Sequence, residues 1–180
     1  MSAYTYLLIY MLFVFTTTTH YFKLMDKERL MALAIDLAAR NVQLGGGPFG
    51  AVIADKEGRV IATGANSVTL TLDPTAHAEV NAIRHACQVL HTFTLRGYEL
   101  YTSCEPCPMC LSAIYWARLD KVYYACTQND ARDAGFDDSY IYRELALSPD
   151  RRALSVERLM RAQAQTVFRT WKSKEDKIEY

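Results

Sequence analysis

The apolar positions change period several times along the chain, and each change marks an element. From Asp26 the spacing is helical: Leu30, Leu33, Ala34, Leu37 and Ala38 recur three and four residues apart behind a capping aspartate. Gly45-Gly46-Gly47-Pro48 breaks that helix. Phe49 to Asp55 then reads as a strand, Glu57-Gly58 turns the chain, and Arg59 to Asn66 returns as a second strand, a hairpin at a sheet edge. Asp73-Pro74-Thr75 leads into a helix from about Ala76 to Leu90. Tyr98 to Ser103 reads as a strand, Pro108 to Ala117 as a helix, and Lys121 to Cys126 as a further core strand.

Beyond Cys126 the pattern is weaker. Gly135-Phe136-Asp137-Asp138 reads as a loop, Ser139 to Leu147 as a short helix and Arg152 to Arg158 as a fifth strand. Arg161 to Ser173 is helical, with Ala164, Val167, Phe168 and Trp171 on one face. The stretch Lys172 to Tyr180, charged apart from Ile178 and Tyr180, reads as a frayed tail. This order predicts an α/β fold of three layers, a central mixed five-stranded sheet with helices on both faces.

The first 24 residues differ from the rest. Leu7 to Phe15 is a dense apolar run followed by Thr16 to Thr19, too short to span a bilayer as a helix of about 20 residues. Its length suits the core of a signal peptide, but no Lys or Arg precedes it and no small-residue cleavage pattern follows. The expectation is an apolar extension over residues 1–24, from a misassigned start, ahead of a single domain over residues 25–180.

Composition narrows the class. A chain of 180 residues builds one domain with a sizeable core. Twenty basic and twenty acidic side chains cancel, which does not suit a protein that holds RNA on a broad basic face, although a local patch is compatible with a neutral total. Five cysteines is an odd number. Cys87, Cys104 and Cys126 fall in or beside apolar segments and read as reduced thiols, so the expected compartment is the cytoplasm.

The chemistry is concentrated in His77-Ala78-Glu79 and Pro106-Cys107-Pro108-Met109-Cys110. His77, Cys107 and Cys110 are three zinc ligands, the number that leaves a fourth tetrahedral position open. Two thiolates and an imidazole suit zinc over magnesium or calcium. Pro106 and Pro108 fit a helix start at Cys107, and a helix N-terminus favours the thiolate. Glu79, two residues beyond His77, is placed to move protons without ligating: zinc lowers the pKa of a bound water from 15.7 to about 7. General acid–base work by such a carboxylate is typically worth about 10²–10⁴ in rate. The bland readings are half of a structural zinc ribbon, which would need Cys104 as a fourth ligand, and a redox Cys-x-x-Cys, which would not need His-x-Glu. Cys104 reads as a buried thiol beside the site. Asn66, at the end of the second strand, reads either as a loop asparagine bonding its own backbone or as an amide facing a substrate.

The His-x-Glu and Pro-Cys-x-x-Cys pair resembles the signature of zinc-dependent deaminases. From Met25 to Tyr180 the chain closely resembles the bacterial guanine deaminases of the cytidine deaminase-like superfamily. The resemblance rests on Gly46-Gly47-Pro48-Phe49-Gly50-Ala51-Val52-Ile53, Asp73 to Val80, Tyr101 to Cys110, Ala113 to Arg118, Gly135-Phe136-Asp137-Asp138 and the terminal Glu179-Tyr180. It implies hydrolytic conversion of guanine to xanthine and ammonia with one Zn2+ per subunit, held by His77, Cys107 and Cys110, and Glu79 as catalytic residue. It also implies that Asn66 and Asp138 bind the purine, with Phe136 packing nearby. A homodimer is implied, with the C-terminal segment (about residues 145–180) domain-swapped and Tyr180 closing the partner's site.

Asp73 to Glu79 also resembles the tRNA adenosine deaminases, so a tRNA-specific adenosine deaminase and a guanosine or other nucleoside deaminase are the alternatives. From another class comes a non-catalytic zinc protein that binds purines; an intact Glu79 argues against it. The expected partners are a small purine base and a second copy, with nucleic acid unfavoured and no stable membrane association.

Overall fold

The computed structural model describes residues 24–180, so the expectation for the N-terminal extension lies outside the described residues except at Leu24. The first helix, α1 (Lys27–Gln43), begins where the periodicity predicts: the Arg29 backbone N–H donates to the Asp26 carboxylate at 2.9 Å, satisfying one of the helix's unpaired amides. Strands β1 (Gly50–Asp55) and β2 (Val60–Ala65) form the predicted hairpin. A single turn, α2 (Val68–Thr71), then precedes α3 (Ala78–Leu90), β3 (Tyr98–Cys104), α4 (Pro108–Ala117) and β4 (Lys121–Cys126). After these come α5 (Gln128–Asp133), α6 (Ser139–Ala146), a 3-10 turn (Pro149–Arg151) and α7 (Arg161–Ser173).

The sheet order is β2-β1-β3-β4. β1 runs antiparallel to β2 and β3, and β3 pairs parallel with β4, so the sheet is mixed. Alternation along β1 separates the two layers. Ala51 and Ile53 point to the α3 and α4 face with Ala62, Ala78, Ala82, Leu100 and Ile114; Val52 and Ala54 point to α1 with Leu30, Ala34 and Tyr101. Apolar residues on both faces make β1 buried along its whole length. Each fully buried Leu, Ile or Val is worth roughly 1.5–3 kcal/mol.

The helices sit unusually near the sheet because of two glycines. A Cβ at Gly50 would lie 2.4 Å from the Ala34 carbonyl oxygen of α1, and one at Gly64 2.2 Å from the Ala78 carbonyl oxygen of α3. Gly64 therefore lets the start of α3, and with it His77 and Glu79, settle against β2.

The sheet has four strands among the described residues, not five. The predicted fifth strand, Arg152 to Arg158, is not a strand. Arg152 donates through Nε to the Glu144 and Leu147 carbonyls at 3.1 and 3.2 Å, and the Ala153 N–H donates to the Glu144 carboxylate at 2.7 Å. These bonds hold the segment to the end of α6, away from the ladder edge of β4. Leu154 and Val156, whose alternation suggested a strand, are exposed. No helix among the described residues is long and apolar enough to cross a membrane.

Candidate active site

Two helix starts build the centre. His77 is the N-cap of α3 and Cys107 the N-cap of α4, in extended backbone conformations. Neither side chain caps its own helix, so both remain available beyond the helix ends. Pro108 follows at the first helical position, as its fixed φ favours, and one turn on Cys110 points back to the same place. The His77 Nδ1 lies 3.5 Å from both the Cys107 and the Cys110 sulfur. The three donor atoms fall within 4.8 Å of one another.

The electrostatics of this cluster favour a cation. Hydrogen bonds from Cys110 and from His77 hold the Cys107 thiol down, to about 4, against the opposing effect of burial. The Cys110 thiol is pushed up by the neighbouring Cys107 sulfur, by burial and by the Glu79 carboxylate. The bond to Cys107 raises the His77 imidazole against its desolvation. The three groups present their donor atoms to one point, where binding a metal would displace the protons they carry. Two sulfurs and one imidazole nitrogen fit zinc.

Glu79 lies in the first turn of α3 and is buried. Its carboxylate accepts from the Cys110 thiol and the Thr102 hydroxyl, each at 3.4 Å. Burial raises its pKa above the ordinary carboxylate range, and the hydrogen bonds it accepts only partly offset this. It is beside the ligand cluster but not one of its three donors. Cys104, the alternative fourth ligand, also stands apart from the cluster: it is buried, donates to the Thr127 carbonyl at 3.5 Å, and is raised to about 11 by burial.

The centre opens into a cavity of about 790 Å³, within the usual range for small-molecule sites. His77, Glu79 and Cys107 line its floor; Asn66, Phe136 and Asp138, each singled out in the sequence, line its sides. Asn66 is buried, its Oδ1 accepts the Val68 N–H at 3.3 Å, which braces its own loop, and it lines the cavity. Phe136 stands edge-on to Phe49, ring centroids 4.9 Å apart. Tyr180 is elsewhere: its ring packs 6.5 Å from Phe93 and 6.2 Å from Trp116, on the outer side of α3 and α4.

Pattern reading missed groups that line the cavity or brace its walls. Gln128 opens α5 and donates through Nε2 to the Asp138 carboxylate at 2.6 Å. Buried Asn41, at the end of α1, donates to the Gly47 and Asn66 carbonyls, both at 2.7 Å, tying the glycine loop to the strand end. Phe49 lay inside a recognised motif and was a findable wall residue. Nothing local marked Asn41 or Gln128, whose partners are 25 and 10 residues distant.

Known proteins agree with this geometry. The family model of the cytidine and deoxycytidylate deaminase zinc-binding region matches residues 24–126. Guanine deaminase of Bacillus subtilis is 49% identical over 157 residues, 87% of this chain and all of that protein. Its crystal structure superposes with a TM-score of 0.84 at 48% identity, over 87% of this chain and 99% of that one. A tRNA-specific adenosine deaminase of Aquifex aeolicus is 45% identical over 56% of this chain and 66% of its own. A further solved structure, 34% identical with a TM-score of 0.59 over 61% of each chain, holds 2,6-diaminopurine. The chain belongs to the cytidine and deoxycytidylate deaminase zinc-binding family, in the group that includes the guanine deaminase of Bacillus subtilis.

Proposed function

We propose that the protein hydrolyses guanine, converting guanine and water to xanthine and ammonia. The observation that carries this reading is one cavity floored by His77, Cys107 and a buried carboxylate, with Cys110 completing the donor set just behind, and an amide and a second carboxylate on its walls. The likeness to Bacillus subtilis guanine deaminase extends through the chain's last third, well beyond the zinc motifs, whereas the likeness to the tRNA enzyme is confined to about half the chain.

His77, Cys107 and Cys110 would hold zinc, which when bound supplies Lewis acidity that makes water nucleophilic near neutral pH. The chain's own groups supply the rest. Glu79 accepts a proton from the attacking water and returns one to the departing amino nitrogen. Its place beside the donor cluster, buried in the first turn of α3, suits it to both halves of that shuttle. Attack falls on the ring carbon bearing the amino group, C2 of guanine, so the base must enter with that edge toward Glu79. The Asn66 amide, with a donor and an acceptor, and the acceptor-only Asp138 carboxylate fix that orientation. A site built to hydrogen-bond one base rejects an analogue lacking the matching groups by about 10⁴–10⁵. Phe49 and Phe136 form an apolar wall for the flat ring.

We read the protein as a homodimer whose C-terminal region, about residues 145–180, is exchanged between copies. Val167, Phe168 and Trp171 on the apolar face of α7 are exposed, which supports a partner surface for that helix. In that arrangement Tyr180 serves the partner's cavity, which accounts for its distance from its own. Two thiols assigned to metal and three left over support a reducing, cytoplasmic setting.

The test is an ultraviolet assay of guanine loss with parallel ammonia release, run against adenine, guanosine and tRNA. Xanthine and ammonia should appear in equal amounts from guanine alone. Turnover of tRNA adenosine with guanine inert would overturn the reading.

A further inference from the structure

We infer that Gln128 is a positioning residue for Asp138, and so a determinant of how tightly the purine is held. The inference rests on the reading that Asp138 contacts the base. Asp138 stands just before α6, where an aspartate ordinarily turns its carboxylate back to cap the helix. Here it makes no such cap. Among the described residues its carboxylate has one side-chain partner, the Gln128 Nε2–H, at 2.6 Å.

Gln128 is itself held. It is the first residue of α5, behind a capping box in which the Thr127 hydroxyl and Asp130 carboxylate satisfy the helix start reciprocally. Its backbone N–H donates to the Glu105 carboxylate at 3.0 Å, and Glu105 lies next to Pro106-Cys107. A second tie runs from the Tyr142 hydroxyl of α6 to the Pro106 carbonyl at 3.3 Å. All four of Glu105, Cys107, Gln128 and Asp138 line the cavity.

The chemistry follows from this placement. An ionised carboxylate offers two oxygens and no donor. Gln128 engages Oδ1, which fixes the side-chain rotation and leaves Oδ2 for an N–H of the base. A glutamine can do this without adding charge. Without its donor, Asp138 regains rotational freedom and can swing toward the start of α6, where the Ser139 and Ile141 amides are taken but that of Tyr140 is not, and the base then loses a prearranged acceptor. The loss falls on binding, because Glu79 and the donor cluster are untouched.

The test is steady-state guanine kinetics of zinc-loaded Gln128→Met, which has similar length and no donor. KM should rise about 5–30-fold, less than the roughly 10–150-fold that one hydrogen bond to a charged group is worth because the base contact is loosened and not removed, with kcat within about twofold and zinc content unchanged. Gln128→Asn, an amide one methylene too short, should behave the same way and covers the case in which the methionine disturbs folding. The double variant Gln128→Met, Asp138→Ala should be no worse than Asp138→Ala alone, because Gln128 acts only through Asp138. Unchanged KM in both single variants, or losses that multiply in the double variant, would overturn the inference. If Asp138→Ala itself leaves guanine kinetics unchanged, the underlying reading of Asp138 fails instead.

Discussion

Residues 26–126 and residues 127–180 obey different rules. In the first region the central elements close on one another: β1 is covered on both faces, and α1 and α3 approach close enough that two positions admit only glycine, although α2 and the edge strand β4 have no buried residue. In the second, none of α5, α6 and α7 has a buried residue, and the apolar side chains of α7 face outward. The first region holds the whole sheet and all three donors of the His/Cys/Cys cluster. The second supplies Gln128, Phe136 and Asp138 to the walls of the cavity. The comparison teaches that the donor set and Glu79 lie wholly in the first region while the proposed base contacts are divided, Phe49 and Asn66 in the first and Phe136 and Asp138 in the second, and variants should sort accordingly.

The sharpest break comes in the first region. Cys110→Ser should lose most of the bound zinc and lower guanine turnover by more than about 10³, since a hard hydroxyl replaces a soft thiolate. Metal analysis alongside the guanine assay reads this, and a variant that keeps both would separate the cluster from the activity. Next, Gly64→Ala should displace the start of α3, because its new methyl meets the Ala78 carbonyl at 2.2 Å. Overpacking of this kind costs about 1–3 kcal/mol, or about 2–4 °C of Tm per kcal/mol in a chain this size, and turnover should fall with it.

In the second region Asp138→Ala should keep zinc and lower kcat/KM for guanine about 10–150-fold, the worth of a hydrogen bond to a charged group. Loss of zinc in that variant would erase the distinction between the two regions. Phe168→Ser should leave zinc and fold intact yet weaken self-association by up to about 100-fold, as expected for a large apolar side chain buried between copies. Sedimentation equilibrium measures this, and an unchanged dimer would remove α7 from the interface.

The smallest effect is acid sensitivity in the hairpin. Burial alone would raise the Asp55 pKa, but the Arg59 backbone N–H at 2.9 Å, the Arg59 guanidinium at 2.6 Å and the Glu57 N–H at 3.1 Å together hold it below the ordinary carboxylate value. A lowered folded-state value means the stabilisation is complete above the unfolded value, about 3.9, and is lost as pH falls through the folded one. Asp55→Asn should therefore be less stable than the parent at pH 7 by about 1 kcal/mol. The gap should close below about pH 4 in urea titrations; a gap independent of pH would assign the effect to shape.

The two regions also differed in what the sequence revealed. Asp26, Pro108 and the 3.6-residue periodicities act within a few residues, so α1, α3, α4 and the hairpin were placed within one or two residues of their ends. His77, Glu79, Cys107 and Cys110 were legible because metal chemistry restricts both residue type and spacing. Arg152 to Arg158 misled because alternation reports a strand only when a ladder edge receives it; here Arg152 and Glu144 hold the segment elsewhere. Asn41 and Gln128 carry no local signal, because each works by reaching a partner that only folding brings near. Tyr180 was visible by resemblance alone, and no pattern in the tail points to Phe93 and Trp116.

The central claim is that a buried carboxylate beside, and not within, the His/Cys/Cys cluster moves the protons. Glu79→Gln tests it most directly, with zinc content and the rate of guanine conversion measured on the same preparation. The prediction is full zinc content and a rate lowered by at least about 10²–10⁴. Full zinc content with wild-type turnover would contradict it.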